Sequence, residues 1–97
     1  MVWIHGGAFT LGSSNSYDGG GLCESGNILV VTPNYRLGVF GFVDIGNVTN
    51  TVMPGNLGLR DIVQALKWIK DNIAAFGGDP DQVTVAGESA GSIAISL

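Results

Sequence analysis

Gly87-Glu88-Ser89-Ala90-Gly91 sets a serine between two glycines in a G-x-S-x-G pattern. Its surroundings matter more than its letters. Val83-Thr84-Val85-Ala86 before it reads as a short β-branched strand, and Ala90 to Leu97 after it reads as the start of a helix. A serine on such a sharp strand-to-helix turn is lifted clear of the chain, with its Oγ exposed at the carboxyl edge of a sheet. A Cβ at either flanking glycine is expected to strike the neighbouring strand or helix. The helix start behind the serine favours developing negative charge. These are the needs of a nucleophile that attacks an acyl carbon. The plain alternative is an ordinary strand–turn–helix built from small residues.

A second segment bears on the same chemistry. His5-Gly6-Gly7-Ala8-Phe9 follows an apolar strand at Met1 to Ile4. It is close to the HGGG-type loop that supplies backbone donors to an oxyanion. Small residues let the N–H groups of Gly7 and Ala8 approach a tetrahedral intermediate. The amide of Ala90, directly after the serine, is the expected third donor. Loss of one such donor typically costs about 10²–10³ in kcat.

Both segments need a scaffold. Ile28-Leu29-Val30-Val31-Thr32 is a short apolar run that suits a strand buried on both faces, ended by Pro33. Residues Leu11 to Gly21 read as loop, and Asn34 to Gly55 as a long irregular stretch. Leu59, Ile62, Val63, Leu66, Ile69 and Ile73 then recur at helical spacing. Arg60, Asp61, Gln64, Lys67, Lys70 and Asp71 fill the gaps, which predicts an amphipathic helix. Asn56 is its expected N-cap and Gly77-Gly78 its stop. Strands alternating with helices predict an α/β sheet with crossover connections.

Composition narrows the remainder. The 97 residues include 16 glycines, and charged residues make up 12%. Average usage is about 7% glycine and 25% charged. Hydrophobic residues reach 45% and the mean hydropathy is +0.35. That excludes a disordered chain, and collagen needs a strict glycine period. The net charge of −4 and pI near 4.4 give no basic patch for nucleic acid. No apolar run approaches the ~18 residues of a membrane span. No basic segment precedes an apolar stretch, so no signal peptide is expected. A single histidine and a single cysteine cannot build a usual zinc site. Low charge and apolar ends without caps predict an internal slice of a larger domain, with residues 1–97 belonging to one unit.

Taken together, the segments resemble the type-B carboxylesterase and cholinesterase family. Trp3-Ile4-His5-Gly6-Gly7-Ala8-Phe9 looks like its oxyanion segment, and Pro33-Asn34-Tyr35-Arg36-Leu37-Gly38-Val39-Phe40-Gly41-Phe42 like its Tyr-Arg segment. Gly55-Asn56-Leu57-Gly58-Leu59-Arg60-Asp61 resembles the start of its helix. Trp68, Asp71-Asn72-Ile73 and Phe76-Gly77-Gly78-Asp79-Pro80 resemble that helix's end. Val83 to Gly91 is similar to its nucleophile elbow. The resemblance implies a partial α/β-hydrolase fold: an internal slice of a larger, mostly parallel sheet. It implies Ser89 as nucleophile and Gly7, Ala8 and Ala90 as oxyanion donors. Ala8 stands where many members have glycine, which adds a methyl group near the acyl site. The triad acid and histidine would follow later in such a chain, beyond Leu97. The implied function is hydrolysis of a small-molecule carboxylic ester through an acyl-enzyme, without cofactor or metal. The alternatives are a non-catalytic adhesion or scaffold relative, and an inactive truncated piece. The 97 residues alone are expected to be inactive.

Other features carry smaller expectations. His5 is expected to be structural, and Glu88 to tune or support while pointing elsewhere. Arg36 and Asp61 lie in charge-poor segments and are expected to pair. Trp3 and Trp68 are expected in the core, Phe9 and Phe40 could line a gorge, and Cys23 is expected to be inert. Asn47-Val48-Thr49 fits the N-glycosylation pattern and favours a secreted or extracellular protein.

Overall fold

A computed structural model describes residues 1–46 and 54–97. The Asn47-Val48-Thr49 pattern lies outside the described residues.

Two three-residue strands form the centre: β1 (Val2–Ile4) and β2 (Val85–Gly87). They pair in parallel, with Val2 opposite Val85, Trp3 opposite Ala86 and Ile4 opposite Gly87. The run expected as a strand at Ile28–Thr32 lies along the other side of β1. Val31 N–H donates to Met1 O (2.9 Å) and Trp3 N–H to Val31 O (2.8 Å). Among the described residues of this run, Val31 alone forms a bridge, to Val2. Thus β1, carrying the chain into His5-Gly6-Gly7, is flanked on both sides.

Among the described residues, four α-helices surround these segments: α1 (Gly20–Gly26), α2 (Gly38–Phe42), α3 (Leu57–Asn72) and α4 (Ala90–Ser96). α3 agrees with the periodicity, and its Ile62 and Ile69 are buried with Ile73, Tyr35, Val2 and Ile4 in one cluster. Helical spacing puts these isoleucines on one stripe, and β-strand alternation turns Val2 and Ile4 toward it. Asn56 precedes α3 but does not cap it through its side chain. It adopts a left-handed backbone (φ 57°), which asparagine tolerates, and its carbonyl accepts from Arg60 N–H at 3.0 Å.

α1 and α2 occupy stretches that read as irregular. α1 buries no residue, so it has no apolar stripe to reveal it. α2 is only five residues long, and its identity comes from packing. Phe42 lies against Gly58, where an added Cβ would come within 2.5 Å of its ring. No helix among the described residues is long and apolar enough to cross a membrane.

The tryptophans part company. Trp3 is partly buried beside Tyr17, with ring centroids 5.4 Å apart. Trp68, expected in the core, is 49% exposed and leans on Phe76. One residue is about 100° of helix, so Trp68 is turned off the stripe that carries Ile69. Phe40 is exposed, whereas Phe9 packs edge-on against Phe42 at 5.0 Å. Cys23 is free and half-buried.

The expected Arg36–Asp61 pair is present, although Arg36 is exposed. Arg36 Nε donates to Asp61 Oδ2 and Nη2 to Oδ1, both at 2.8 Å, and the Arg36 backbone N–H also donates to Oδ2 at 2.9 Å. The side-chain bond from Arg36 is the main reason the Asp61 carboxyl titrates below its ordinary value of 3.8. A depressed folded value stabilises the fold above the unfolded one, and that contribution disappears as pH falls through the folded value. Asp61→Asn in the full-length protein is therefore expected to lower Tm at neutral pH, with the gap to wild type closing below about pH 4. An equal gap in Tm at neutral and strongly acid pH would count against the ion pair.

Candidate active site

β2 ends at Gly87, and the chain must turn at once to begin α4 at Ala90. Ser89 takes the strain of that turn, with φ 53° and ψ −121°. A non-glycine residue held in such a sparsely populated region costs about 1–3 kcal/mol and persists only where its surroundings enforce it. Here Glu88 N–H donates to Ile4 O (3.4 Å), Gly91 N–H to Glu88 O (2.9 Å) and Ile93 N–H to Ser89 O (3.1 Å). Ser89 is exposed, and its side chain does not cap α4.

The turn can lie this close to β1 because Gly91 lacks a side chain. A Cβ there would collide with the Ile4 carbonyl oxygen and come within 2.8 Å of His5 O. α4 therefore packs directly on the end of β1, where the loop His5-Gly6-Gly7-Ala8-Phe9 begins. Gly6 makes the second close approach: a Cβ on it would be 3.0 Å from Ser89 Cβ and 2.7 Å from Glu88 O. The two segments singled out in the sequence are thus in contact through their backbones.

The loop itself is tightly wound. Thr10 and Leu11 N–H groups both donate to Gly7 O at 3.0 Å, and Gly38 N–H donates to Phe9 O at 2.7 Å. Ala8 and Phe9 both adopt left-handed backbone, with φ 54° and 61°. An alanine pays roughly 1–2 kcal/mol for that conformation, and glycine does not. Among the described residues, the N–H groups of Gly7, Ala8 and Ala90 donate to no acceptor outside a helix or strand. Ala90 opens α4, where the first N–H groups have no partner within the helix.

Three side chains have surroundings that sequence patterns did not disclose. Glu88 lies over the loop: its Oε2 is 2.6 Å from the position of a Cβ on Gly6. This differs from the sequence expectation that Glu88 points elsewhere. His5 is 1% exposed, with Nδ1 2.7 Å from Gly6 O. A carbonyl only accepts, so Nδ1 carries the proton in that bond. Tyr35 is buried and stacks on the His5 ring, with centroids 4.6 Å apart and planes 21° from parallel. Its hydroxyl donates to His5 O at 2.7 Å. Burial is the main cause that pushes this hydroxyl above its ordinary value, with a smaller contribution from Tyr17, so it stays a donor. Strand alternation signals that Trp3 and His5 share a face, but nothing local signals Tyr35 as the partner.

The sequence model of the carboxylesterase family matches residues 1–97. The chain belongs to the carboxylesterase family.

Para-nitrobenzyl esterase of Bacillus subtilis (strain 168) is 56% identical to it over 98 residues, covering 99% of this chain and 20% of that protein. Carboxylesterase 3B of Mus musculus is 53% identical over 96 residues, covering 99% of this chain and 16% of that protein. A solved PNB esterase superposes with a TM-score of 0.92 at 55% identity, over 98% of this chain and 21% of that one. The fold is accordingly part of an α/β-hydrolase. This carboxylesterase chain spans about a fifth of the length of the relatives it matches.

Proposed function

We propose that Ser89 is the nucleophile of a carboxylic ester hydrolase, with the N–H groups of Gly7, Ala8 and Ala90 as its oxyanion donors. Family membership supports ester hydrolysis as the general activity. The observation that carries the residue assignment is the strained Ser89 backbone, at φ 53° and ψ −121°, against Gly6 of the loop. Strain of this kind is retained where a turn must present a side chain.

Ser89 Oγ attacks the carbonyl carbon of a small-molecule ester. Its proton passes to a histidine supplied by a part of the protein outside these 97 residues, oriented by an acid that is also outside them. The carbonyl oxygen gains the negative charge and lies among the three backbone donors. Collapse releases the alcohol, which takes the proton from the histidine. Water then attacks the acyl-enzyme by the same route and releases the acid. His5 has no place in this relay, since its ring is 1% exposed and covered by the Tyr35 ring. No step needs a cofactor. Residues 1–97 are one part of a single larger domain, and on their own they do not turn over ester.

A fluorophosphonate probe, which phosphonylates an activated serine, tests the assignment in the full-length protein. The label is expected on Ser89, and Ser89→Ala is expected to remain unlabelled. Labelling that survives the substitution excludes Ser89. Absence of labelling in the wild type, with the chain folded, favours the scaffold reading. The isolated 97-residue span is expected to give no turnover of a nitrophenyl ester; turnover lost on Ser89→Ala would refute that expectation.

A further inference from the structure

The proposed mechanism makes no use of His5, the one fully buried ionisable side chain at the site. We propose that His5, held by Tyr35, is a positioning residue that aims the Gly7 N–H at the developing oxyanion. This rests on the oxyanion roles proposed above.

The peptide plane provides the link. Gly6 C=O and Gly7 N–H belong to one peptide unit, and no cis bond occurs among the described residues. In a planar trans peptide the C=O and N–H point in opposite directions. The bond from His5 Nδ1–H to Gly6 O, at 2.7 Å, pulls the oxygen to the His5 side and turns the Gly7 N–H to the other side. Glycine at positions 6 and 7 leaves this plane free to rotate, so its orientation has to be imposed from outside. Gly6 lies against Ser89 Cβ, so rotation here displaces a donor right beside the nucleophile.

His5 in turn is fixed at both ends. The Tyr35 ring covers its face at 4.6 Å, and the Tyr35 hydroxyl holds its carbonyl at 2.7 Å. That hydroxyl fixes the preceding peptide plane, between His5 and Gly6. Two successive peptides are therefore set by one stacked pair. The alternative, that His5 only fills space, requires a buried aromatic side chain and no donor at Nδ1. Phenylalanine and asparagine separate the two: the first keeps the ring without the donor, and the second keeps a side-chain N–H donor near the Nδ1 position without the ring.

The test is steady-state turnover of a nitrophenyl ester by the full-length protein. His5→Phe is expected to lower kcat by about 10²-fold, the lower end of what loss of one oxyanion donor costs, with KM unchanged. His5→Asn is expected to recover most of that loss. A trifluoromethyl ketone, which forms an anionic adduct on the serine, is expected to lose affinity in step with kcat. Should His5→Phe fail to fold, Tyr35→Phe reads the same device, because it deletes only the hydroxyl on His5 O. It is expected to lower kcat with KM unchanged, with a modest fall in Tm because the buried His5 O loses its donor. Wild-type kcat in His5→Phe, or in Tyr35→Phe when the first variant does not fold, overturns the inference. So does a loss of kcat that asparagine does not recover. Ser89→Ala run in parallel tells the two layers apart. If it keeps turnover, the nucleophile assignment fails; if it is dead beside a fully active His5→Phe, only the positioning role fails.

Discussion

Ser89→Ala in the full-length protein is expected to lower ester turnover by a factor on the order of 10⁶, the scale seen when the nucleophile of a serine triad is removed. Binding and the oxyanion donors remain in that variant, so residual catalysis over water is expected. The substrate should still bind, because the hydroxyl contributes to bond formation and not to the walls of the site. The fold should hold or gain slightly, since Ser89 is exposed and does not cap α4. Turnover within tenfold of wild type would exclude Ser89 as nucleophile. A large loss of turnover accompanied by a collapse in Tm would point to folding, and would leave the chemical role without support from this variant.

Gly91→Ala should cause the largest loss of stability among substitutions in this segment. The new methyl group would meet the Ile4 carbonyl oxygen, with Ile4 C and His5 O each 2.8 Å away. All three are backbone atoms of β1 and its continuation, so no side chain can swing aside. β1 cannot yield easily either, since it is bonded to β2 on one side and to Val31 on the other. Overpacking a well-filled interior costs about 1–3 kcal/mol and sometimes more, and this contact lies at the upper end. If the chain relaxes by moving α4 outward, the elbow moves with it and turnover falls too. Gly21→Ala is the control: it lies in α1, and its added Cβ meets nothing within 4 Å. Alanine there should be neutral or mildly stabilising, by up to about 1 kcal/mol. Thermal unfolding of both variants checks the pair. Equal midpoints would show that the close approach of α4 to β1 is not required.

The elements that were legible in the sequence have a local code. α3 could be read because its apolar residues recur with the helical period, and its stripe is the one that is buried. The elbow could be read because a strand, a serine between glycines and a helix follow one another within a few residues. The Arg36–Asp61 pair was readable only in part: Arg36 lies alone in a charge-poor segment, but Asp61 has Arg60 beside it, and the fold chose its partner. α1 and α2 were not legible, since neither buries an apolar stripe of its own. The size of Trp68 suggests the core, while its angular position on α3 turns it outward.

By itself, the sequence determined which residues could do chemistry and in what order they come. Residue type and spacing are local properties, and a serine needs glycines beside it wherever such a turn is built. Tertiary structure decided what those residues touch. Gly6 meets Ser89 across a separation of more than eighty residues, and Tyr35 reaches His5 O across thirty. Contacts of that kind depend on how the elements stack, and no periodicity within either segment records them. The positive φ of Phe9 and Ser89 draws on the same source: Gly38 N–H holds Phe9 O, and Ile4 O holds the Glu88 N–H beside Ser89, both brought from elsewhere by the fold.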